Sequence, residues 1–225
     1  MAPAPRSLPE GRWRWLGRVP FGETAVLQES LRAEIREGGV GDTLLLLEHD
    51  PVITMGRSAD LANVLHSEED LAARGITLYR ASRGGDVTYH GPGQLVGYPV
   101  MRLRSGVRAH IEGMAAALIE VLGEWGVTAH YRGDAPGLWV GAAGAQAKIC
   151  AFGINVHHRV SIHGFALNLQ PDLHAFGLIV PCGLTGCAVT SVEALLGAAP
   201  TPGAIAARTA AALGAHLGVT FTAQP

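Results

Sequence analysis

Lysine is almost missing from this chain. The 225 residues include 17 basic side chains, and Lys148 is the single lysine among them. A lysine amine can lose its proton near neutral pH when it is desolvated, whereas an arginine guanidinium stays protonated. The lone amine is therefore a candidate for proton transfer. The alternative is that it is a chance remnant in an arginine-rich chain.

The sequence also lacks the features of nucleic-acid-binding and membrane proteins. Its formal net charge is −2, which indicates no basic surface for nucleic acid or anionic lipid. The longest apolar runs, such as 44–47 and 114–119, fall well short of the roughly 20 residues that span a bilayer. The first twenty residues contain no apolar core of a signal peptide, so we expect no secretory signal. A transit peptide is a weaker alternative, which Glu10 and two prolines disfavour.

Cysteine is scarce, and the usual metal and phosphate motifs are missing. The three cysteines, at positions 150, 182 and 187, form no Cys-x-x-Cys pair, which is typical of a reduced compartment, so we expect a cytoplasmic protein. The ten histidines form no HExxH motif and no Cys/His cluster. Neither GxGxxG nor GxxxxGK[ST] occurs. We therefore expect no metal and no cofactor, and ATP use is disfavoured.

Hydrophobic periodicity predicts one α+β domain. The hydrophobic fraction of 48% supplies a full core, residues 1–11 are expected to be a flexible extension, and residues 12–225 the folded domain. Strands gathered in the middle, with helices before and after, favour an α+β sheet over alternating βαβ units. Helices are predicted at 24–36, 67–75, 106–125, 191–196 and 202–217, and strands at 43–48, 52–55, 87–89, 94–100, 127–131, 138–140, 147–156 and 160–169, the last two as a hairpin.

The stretch from Arg83 to Tyr98, RGGDVTYHGPGQLVGY, combines four glycines with several polar side chains. Two β-prone runs flank a Gly-Pro-Gly turn, so the local pattern predicts two short strands. Glycines remove side chains where the backbone bends or approaches another group. The residues therefore suit a ligand-contacting wall and a decorated hairpin equally well.

Cys182 lies between a proline and a glycine, within a long segment after residue 169 that has no regular period. Loops of that length usually carry function, and small neighbours leave a thiol exposed. A nucleophilic role is one interpretation. The other is a small buried hydrophobic residue, which is what most free cysteines are.

Four segments, in order along the chain, resemble the motifs of the lipoyl(octanoyl) transferases. They are the stretch 83–98, HDPVITMGR at 49–57, RGDAPGLWVG with AKICAFG at 132–153, and HGFALNL with IVPCGLTG at 163–186. Members of this family move an octanoyl group from acyl carrier protein to a lysine of lipoate-dependent complexes. The resemblance covers most of the chain from residue 43 onward, which makes it far more specific than a single glycine-rich loop.

The resemblance implies roles for particular residues. It makes Cys182 the cysteine that carries the acyl thioester and Lys148 its catalytic partner, with no metal and no cofactor. His90 could position the substrate or support the lysine. The substrate pocket implied by the family motifs consists of Arg83, Gly84, Gly85, Asp86, Val87, Thr88, Tyr89, His90, Ala151, Phe152, Gly153, Gly164, Phe165 and Ala166.

The resemblance also implies a fold and partners. The fold would be that of biotin and lipoate ligase catalytic domains, a main mixed β-sheet flanked by helices with a smaller accessory sheet. The donor would be octanoyl-acyl carrier protein, and the acceptors apo-lipoyl domains of 2-oxoacid dehydrogenases and the glycine cleavage H protein, with the enzyme a monomer. Two rivals share the scaffold: an ATP-dependent lipoate-protein ligase, and a catalytically silent module that binds lipoyl domains or acyl carrier protein.

Overall fold

The computed structural model describes residues 8–142, 144–180 and 187–224. Within these ranges the chain forms twelve β-strands, five α-helices and two short 3-10 helices at 61–63 and 173–178. In chain order they are β1 (Glu10–Val19), α1 (Phe21–Glu37), β2 (Asp42–His49), β3 (Val52–Met55), α2 (Glu68–Ala73), β4 (Thr77–Arg80), β5 (Val87–His90), β6 (Gln94–Val100), α3 (Val107–Gly123), β7 (His130–Arg132), β8 (Gly137–Val140), β9 (Ala147–His157), β10 (Val160–Asn168), β11 (Ala188–Val189), α4 (Val192–Leu196), α5 (Pro202–Leu217) and β12 (Thr220–Ala223).

The described strands form two sheets. The main sheet has the order β12-β1-β2-β6-β10-β9-β8-β7, and β11 pairs with β9. It is mixed, because β1 is parallel to β2 and β12 while β6 is antiparallel to β2 and β10. The smaller sheet has the order β4-β3-β5. This architecture confirms the predicted α+β fold with an accessory sheet.

Strand β2 shows why the main sheet has helices on both faces. Its apolar run alternates between two core clusters: Leu44 and Leu46 pack with helices α3 and α5, while Leu45 and Leu47 pack with α1. All four leucines are fully buried. A strand covered on both faces has no polar side to show, which is why its sequence is a continuous apolar run.

The glycine-rich stretch is not a hairpin. Strand β5 pairs with β3 in the small sheet, whereas β6 pairs with β2 and β10 in the main sheet. The turn between them therefore carries the chain from one sheet to the other. Gly93 allows this passage, since its φ is +86° and an added Cβ would lie 2.3 Å from the carbonyl oxygen of Gln170. The prediction of two strands is confirmed, and the hairpin interpretation is wrong.

Other predicted elements compare well with the structure. The predicted hairpin is present in β9 and β10, and its turn residues His158 and Arg159 have φ of 49° and 64°, as the twist of a tight hairpin requires. Strands β1, β4, β11 and β12 were not predicted. Because β1 begins at Glu10, residues 10 and 11, which were expected to be loose, belong to the main sheet.

No helix in the part of the chain that the structure describes combines the length and the apolar composition needed to cross a membrane.

We predict that Gly97→Ala destabilises the main sheet. Strands β6 and β10 pair closely here, and an added Cβ at Gly97 would lie 2.2 Å from the ring of Phe165. Overpacking of a dense core costs about 1 to 3 kcal/mol, so the free energy of unfolding in urea should fall by that amount. Gly123→Ala is the matched control, because no atom lies within 4 Å of its added Cβ. Equal stability of the two variants would contradict the prediction.

Candidate active site

A cavity of about 780 Å³, including the space at its mouth, lies where the two sheets meet. Strand β5 of the small sheet forms one wall, and β6, β9 and β10 of the main sheet form the other. The described residues that line it are Phe21, Arg83, Gly85, Asp86, Val87, Thr88, His90, Gln94, Tyr98, Pro136, Lys148, Ala151, Phe152, Gly153, His163, Gly164, Phe165, Ala166, Asn168, Phe176 and Val189.

Lys148 reaches this cavity from strand β9. Its side chain is only 4% exposed. The ammonium Nζ donates a hydrogen bond of 3.5 Å to the carbonyl oxygen of Pro136 and lies 4.9 Å from the centre of the Trp139 ring. The side-chain amine of the only lysine in the sequence is therefore buried in the cavity wall.

Most of the predicted pocket residues lie together in this wall. Twelve of the fourteen line the cavity, and Gly84 and Tyr89 do not. The amide of Gly84 donates to the carbonyl oxygen of Ile154, which joins the loop before β5 to strand β9. Tyr89 points away from the cavity into the core of the small sheet, where its ring meets Phe176 at 5.6 Å. Tyr89 lies between Thr88 and His90, which line the cavity, and neighbours on a strand face opposite sides.

Cys182 lies outside the described residues. On one side of 181–186, the amide of Val180 donates to the carbonyl oxygen of Asn63. On the other side, β11 pairs Val189 with Lys148. The other two cysteines differ in surroundings: Cys187 is partly exposed, whereas burial raises the pKa of the Cys150 thiol far above its ordinary value. A thiol that stays protonated is a poor nucleophile, which disfavours Cys150 as an acyl carrier.

Arg83 is buried in the junction between the sheets and anchored to strand β3. Its guanidinium donates to the hydroxyl of Thr54 from Nε at 3.2 Å and from Nη2 at 2.8 Å, and to the Thr54 carbonyl oxygen at 2.6 Å. Two glycines leave room for this path. An added Cβ on Gly56 would lie 2.2 Å from the carbonyl oxygen of Gly85, and one on Gly153 would lie 3.0 Å from the Arg83 side chain.

A chain of buried hydrogen bonds connects His90 to the Lys148 backbone. The Gln94 amide nitrogen donates to Asn168 at 3.0 Å and to the Tyr89 carbonyl oxygen at 3.2 Å. Its oxygen is therefore the acceptor for Nδ1 of His90, at 3.1 Å. The Asn168 amide nitrogen donates to the carbonyl oxygen of Thr190, whose own amide donates to Lys148. These bonds fix both walls of the cavity relative to the lysine.

Three histidines, His49, His90 and His163, surround the ring of Phe21. The phenyl ring lies nearly parallel to the His90 and His163 imidazoles, at 8° and 10°, with centroids 6.2 Å away. His49 donates from Nδ1 to the carbonyl oxygen of Val19 and accepts the Tyr98 hydroxyl proton at Nε2. Burial lowers the pKa of His49 to about 4, that of His163 to about 3, and that of His90 well below its ordinary value. All three imidazoles are therefore neutral at pH 7.

Comparison with known proteins places the chain in a family. Residues 22–214 match the family described as the lipoyl protein ligase A/B catalytic domain. The chain belongs to this family. An octanoyltransferase from Chloroflexus aurantiacus is 43% identical over 94% of each chain. An octanoyltransferase from Myxococcus xanthus is 44% identical over 82% of this chain, which spans 53% of that longer protein.

These relatives confirm the resemblance found in the sequence. The protein is an acyltransferase, and the reaction it serves is octanoyl transfer for protein lipoylation. Solved structures confirm the fold. A lipoate-protein ligase A bound with ATP superposes with a TM-score of 0.74 and 18% identity, over 96% of this chain and 88% of the other. A bipartite lipoate protein ligase from Thermoplasma acidophilum gives a TM-score of 0.71 and 18% identity, over 96% and 87%.

Several wall residues of the octanoyltransferase were not predicted as site residues. Phe21 and Tyr98 come from elements far apart in sequence, so no local pattern joins them. His163 and Asn168 lie in the quoted motif HGFALNL, and that motif was the signal that could have identified them. Strand β10 is irregular at His163, where φ is 58°. The remaining wall residues outside the predicted pocket are Gln94, Pro136, Phe176 and Val189. Gln94 and Tyr98 do belong to the stretch 83–98, which suited a ligand-contacting wall.

We predict that the buried histidines make stability fall with acid. Because the folded pKa of His49 is about 4 and the ordinary value is 6.5, the unfolded chain binds more protons between these values. Unfolding free energy is therefore highest above pH 6.5 and declines as pH falls toward 4. In urea titrations, His49→Gln should flatten that decline by about 1 kcal/mol per pH unit between pH 6 and 5. His157→Gln, at the exposed end of β9, is the surface control; a slope for His49→Gln equal to that of the wild type would contradict the assignment.

Proposed function

We propose that this octanoyltransferase takes its acyl group from octanoyl-acyl carrier protein, holds it as a thioester on Cys182, and passes it to a lysine of an apo-lipoyl domain. The observation that carries the proposal is the buried amine of Lys148 in the wall of a largely apolar cavity. The motif IVPCGLTG supplies the cysteine, and an octanoyltransferase relative that aligns over 94% of each chain supplies the reaction class. The proposed catalytic domain is residues 12–225.

In the first step, the Cys182 thiolate attacks the thioester carbonyl of the donor. The carbon–sulfur bond to the carrier breaks, and the carrier leaves as a thiol once it has gained a proton. A thioester is exchanged for another of similar energy, so no ATP is needed. The proposed role of the Lys148 ammonium in this step is to stabilise the thiolate, which is the reactive form of cysteine.

In the second step, the acceptor lysine attacks the acyl group on Cys182. The new carbon–nitrogen bond forms as Lys148, in its amine form, takes a proton from the attacking nitrogen, and Cys182 leaves as a thiolate. Conversion of a thioester to an amide makes this step favourable. The roles of Lys148 in the two steps differ, because the first uses its charge and the second its basicity.

The cavity walls suit a medium-length acyl chain. Glycine and alanine at positions 153, 164 and 166 leave room, and Phe152 and Phe165 supply apolar surface. His90 and Arg83 line the same cavity. The neutral His90 donates from Nδ1 to Gln94, so its Nε2 can accept a hydrogen bond from a ligand without adding charge. Among the described residues, no group hydrogen-bonds to the buried Nδ1 of His163, so this nitrogen is available to a ligand.

Lipoyl domains are the proposed acceptors. One structural relative was solved as part of a lipoylation system that includes its E2 lipoyl domain. On this basis we propose the lipoyl domains of 2-oxoacid dehydrogenases and the glycine cleavage H protein as acceptors for this chain. The proposed enzyme acts as a monomer in the cytoplasm and without metal or cofactor.

We predict that incubation with octanoyl-acyl carrier protein alone adds one octanoyl group to Cys182. Intact mass spectrometry should show the added mass, which hydroxylamine should remove as expected for a thioester, and peptide mapping should place it. Cys182→Ser should abolish the thioester. Cys187→Ser and Cys150→Ser are matched controls and should retain it. A thioester found on Cys150 or Cys187 in the Cys182→Ser variant would refute the assigned nucleophile.

The same assay separates the rivals. Transfer to an apo-lipoyl domain should proceed without ATP and in the presence of EDTA. A strict need for ATP and Mg²⁺ with free octanoate as donor would indicate the ligase, the activity that the name of a structural relative describes. Binding of both partners without any acyl transfer would indicate the silent binding module.

We predict that Lys148→Arg nearly abolishes complete transfer while leaving slow acylation of Cys182. Arginine keeps the positive charge but cannot accept the proton of the acceptor amine, and loss of a general base costs about 10² to 10⁴ in rate. Single-turnover assays can measure the two half-reactions separately. Lys148→Met is the control that removes charge as well as basicity, and it should slow both. Near-normal rates in both half-reactions for either variant would remove Lys148 from the mechanism.

A further inference from the structure

The segment from Pro136 to Trp139, within the motif RGDAPGLWVG, surrounds the side chain of Lys148. We call Pro136, Gly137 and Trp139 the lysine cradle. Strand β8 carries two of the three residues and pairs with β9, and Trp139 stands directly opposite Lys148 in that pairing. Strand register thus brings this motif to the lysine.

The first two cradle residues restrict where the lysine can go. The carbonyl oxygen of Pro136 accepts a hydrogen bond from Nζ at 3.5 Å. Gly137 has no side chain where the lysine passes, and an added Cβ there would lie 3.1 Å from Cε of Lys148 and 2.6 Å from the carbonyl oxygen of Cys150. A side chain at this position would collide with the Cys150 carbonyl oxygen and would also crowd the lysine stem, which is why the position takes glycine.

Trp139 supplies the third contact. Its ring centre lies 4.9 Å from Nζ of Lys148, within the range of about 6 Å in which a cation is attracted to an aromatic face. The indole is 3% exposed, and its Nε1 donates to the carbonyl oxygen of Ala135 at 3.0 Å. A buried ring fixed by its own hydrogen bond is a rigid support. The lysine is therefore held against a surface that does not move with it.

Arg132 holds the ring from the neighbouring strand. Its guanidinium carbon lies 4.7 Å from the ring centre. Strands β7 and β9 flank β8 on its two sides, so the indole stands between one cation from each. Arg132 is itself anchored by Asp134 and by Gln146, which also contacts His130. The Trp139 ring that contacts Lys148 is thus itself held by Arg132, which Asp134 and Gln146 hold in turn.

We infer that Trp139 is a positioning residue that holds the Lys148 ammonium in the cavity wall. This inference rests on the proposed function for its catalytic consequence, but the contact itself can be tested without activity. Lys148 is the only lysine, so protein labelled with [ε-¹³C]lysine gives a single side-chain signal in a two-dimensional NMR spectrum. Protons above an aromatic ring resonate upfield of their random-coil position, which makes the indole contact directly visible.

In the wild type, the ε-proton signal should lie upfield of its random-coil position. In Trp139→Leu it should move toward the random-coil position. In Trp139→Phe it should lie between the wild-type and Trp139→Leu positions. Trp125→Leu is the matched control, since Trp125 packs against the main core, and it should leave the signal unchanged. A wild-type signal at the random-coil position, or one unmoved in both Trp139 variants, would overturn the inference. If Trp139→Leu does not fold, the position of the wild-type signal alone tests the inference.

The single-turnover rates test the consequence. Trp139→Leu should slow transfer from acylated enzyme to the lipoyl domain about tenfold, as expected for loss of a desolvated cation–π contact, and Trp139→Phe should recover most of that loss. Wild-type rates in a folded Trp139→Leu protein would refute the positioning role. If instead Lys148→Arg were fully active while the wild-type signal lay upfield, the proposed role of the lysine would fail and the cradle contact would stand.

Discussion

The site depends on one constraint: the chain leaves the small sheet at His90 and enters the main sheet at Gln94. The four-residue spacing holds β5, an edge strand of the small sheet, close to β6, an interior strand of the main sheet. The cavity is the space left at that meeting. Gln94 closes the junction by bonding back to His90 and across to Asn168, so the turn and both walls are one hydrogen-bonded unit.

Charge in this junction is used sparingly. Arg83 and Lys148 are buried basic side chains, and burial keeps the three nearby imidazoles neutral. Burial is the main cause that lowers the pKa of His90 and His163, and the positive charge of Arg83 lowers both pKa values further. Because these three rings are neutral, they add no positive charge to the cavity wall that holds Lys148. They also make the junction sensitive to acid, since protonation of any of them would place a charge in a poorly solvated space.

Local patterns predicted the elements and missed how they join. The helix from Pro202 to Leu217 has the predicted bounds because proline starts it and Gly218, with φ of 69°, ends it. Strand β1 was missed although Trp13 and Trp15 alternate with arginines, a period-two signal. The turn between β5 and β6 has the composition of a hairpin turn. The local sequence, however, does not determine which sheet each strand joins. The contacts of Phe21, Tyr98 and His163 depend on that long-range choice, so the site's aromatic wall was beyond a local prediction.

The burial of the only lysine has a consequence for the enzyme itself. An acyl group activated on sulfur reacts with amines, and lysine side chains on an enzyme's surface would compete with the intended acceptor. Here every other basic side chain is an arginine, and the one lysine is 4% exposed and held in the wall. In a protein with the proposed chemistry, encounters between two copies therefore offer no surface lysine to acylate. The composition that first singled out Lys148 would also keep the acyl group for lysines on other proteins.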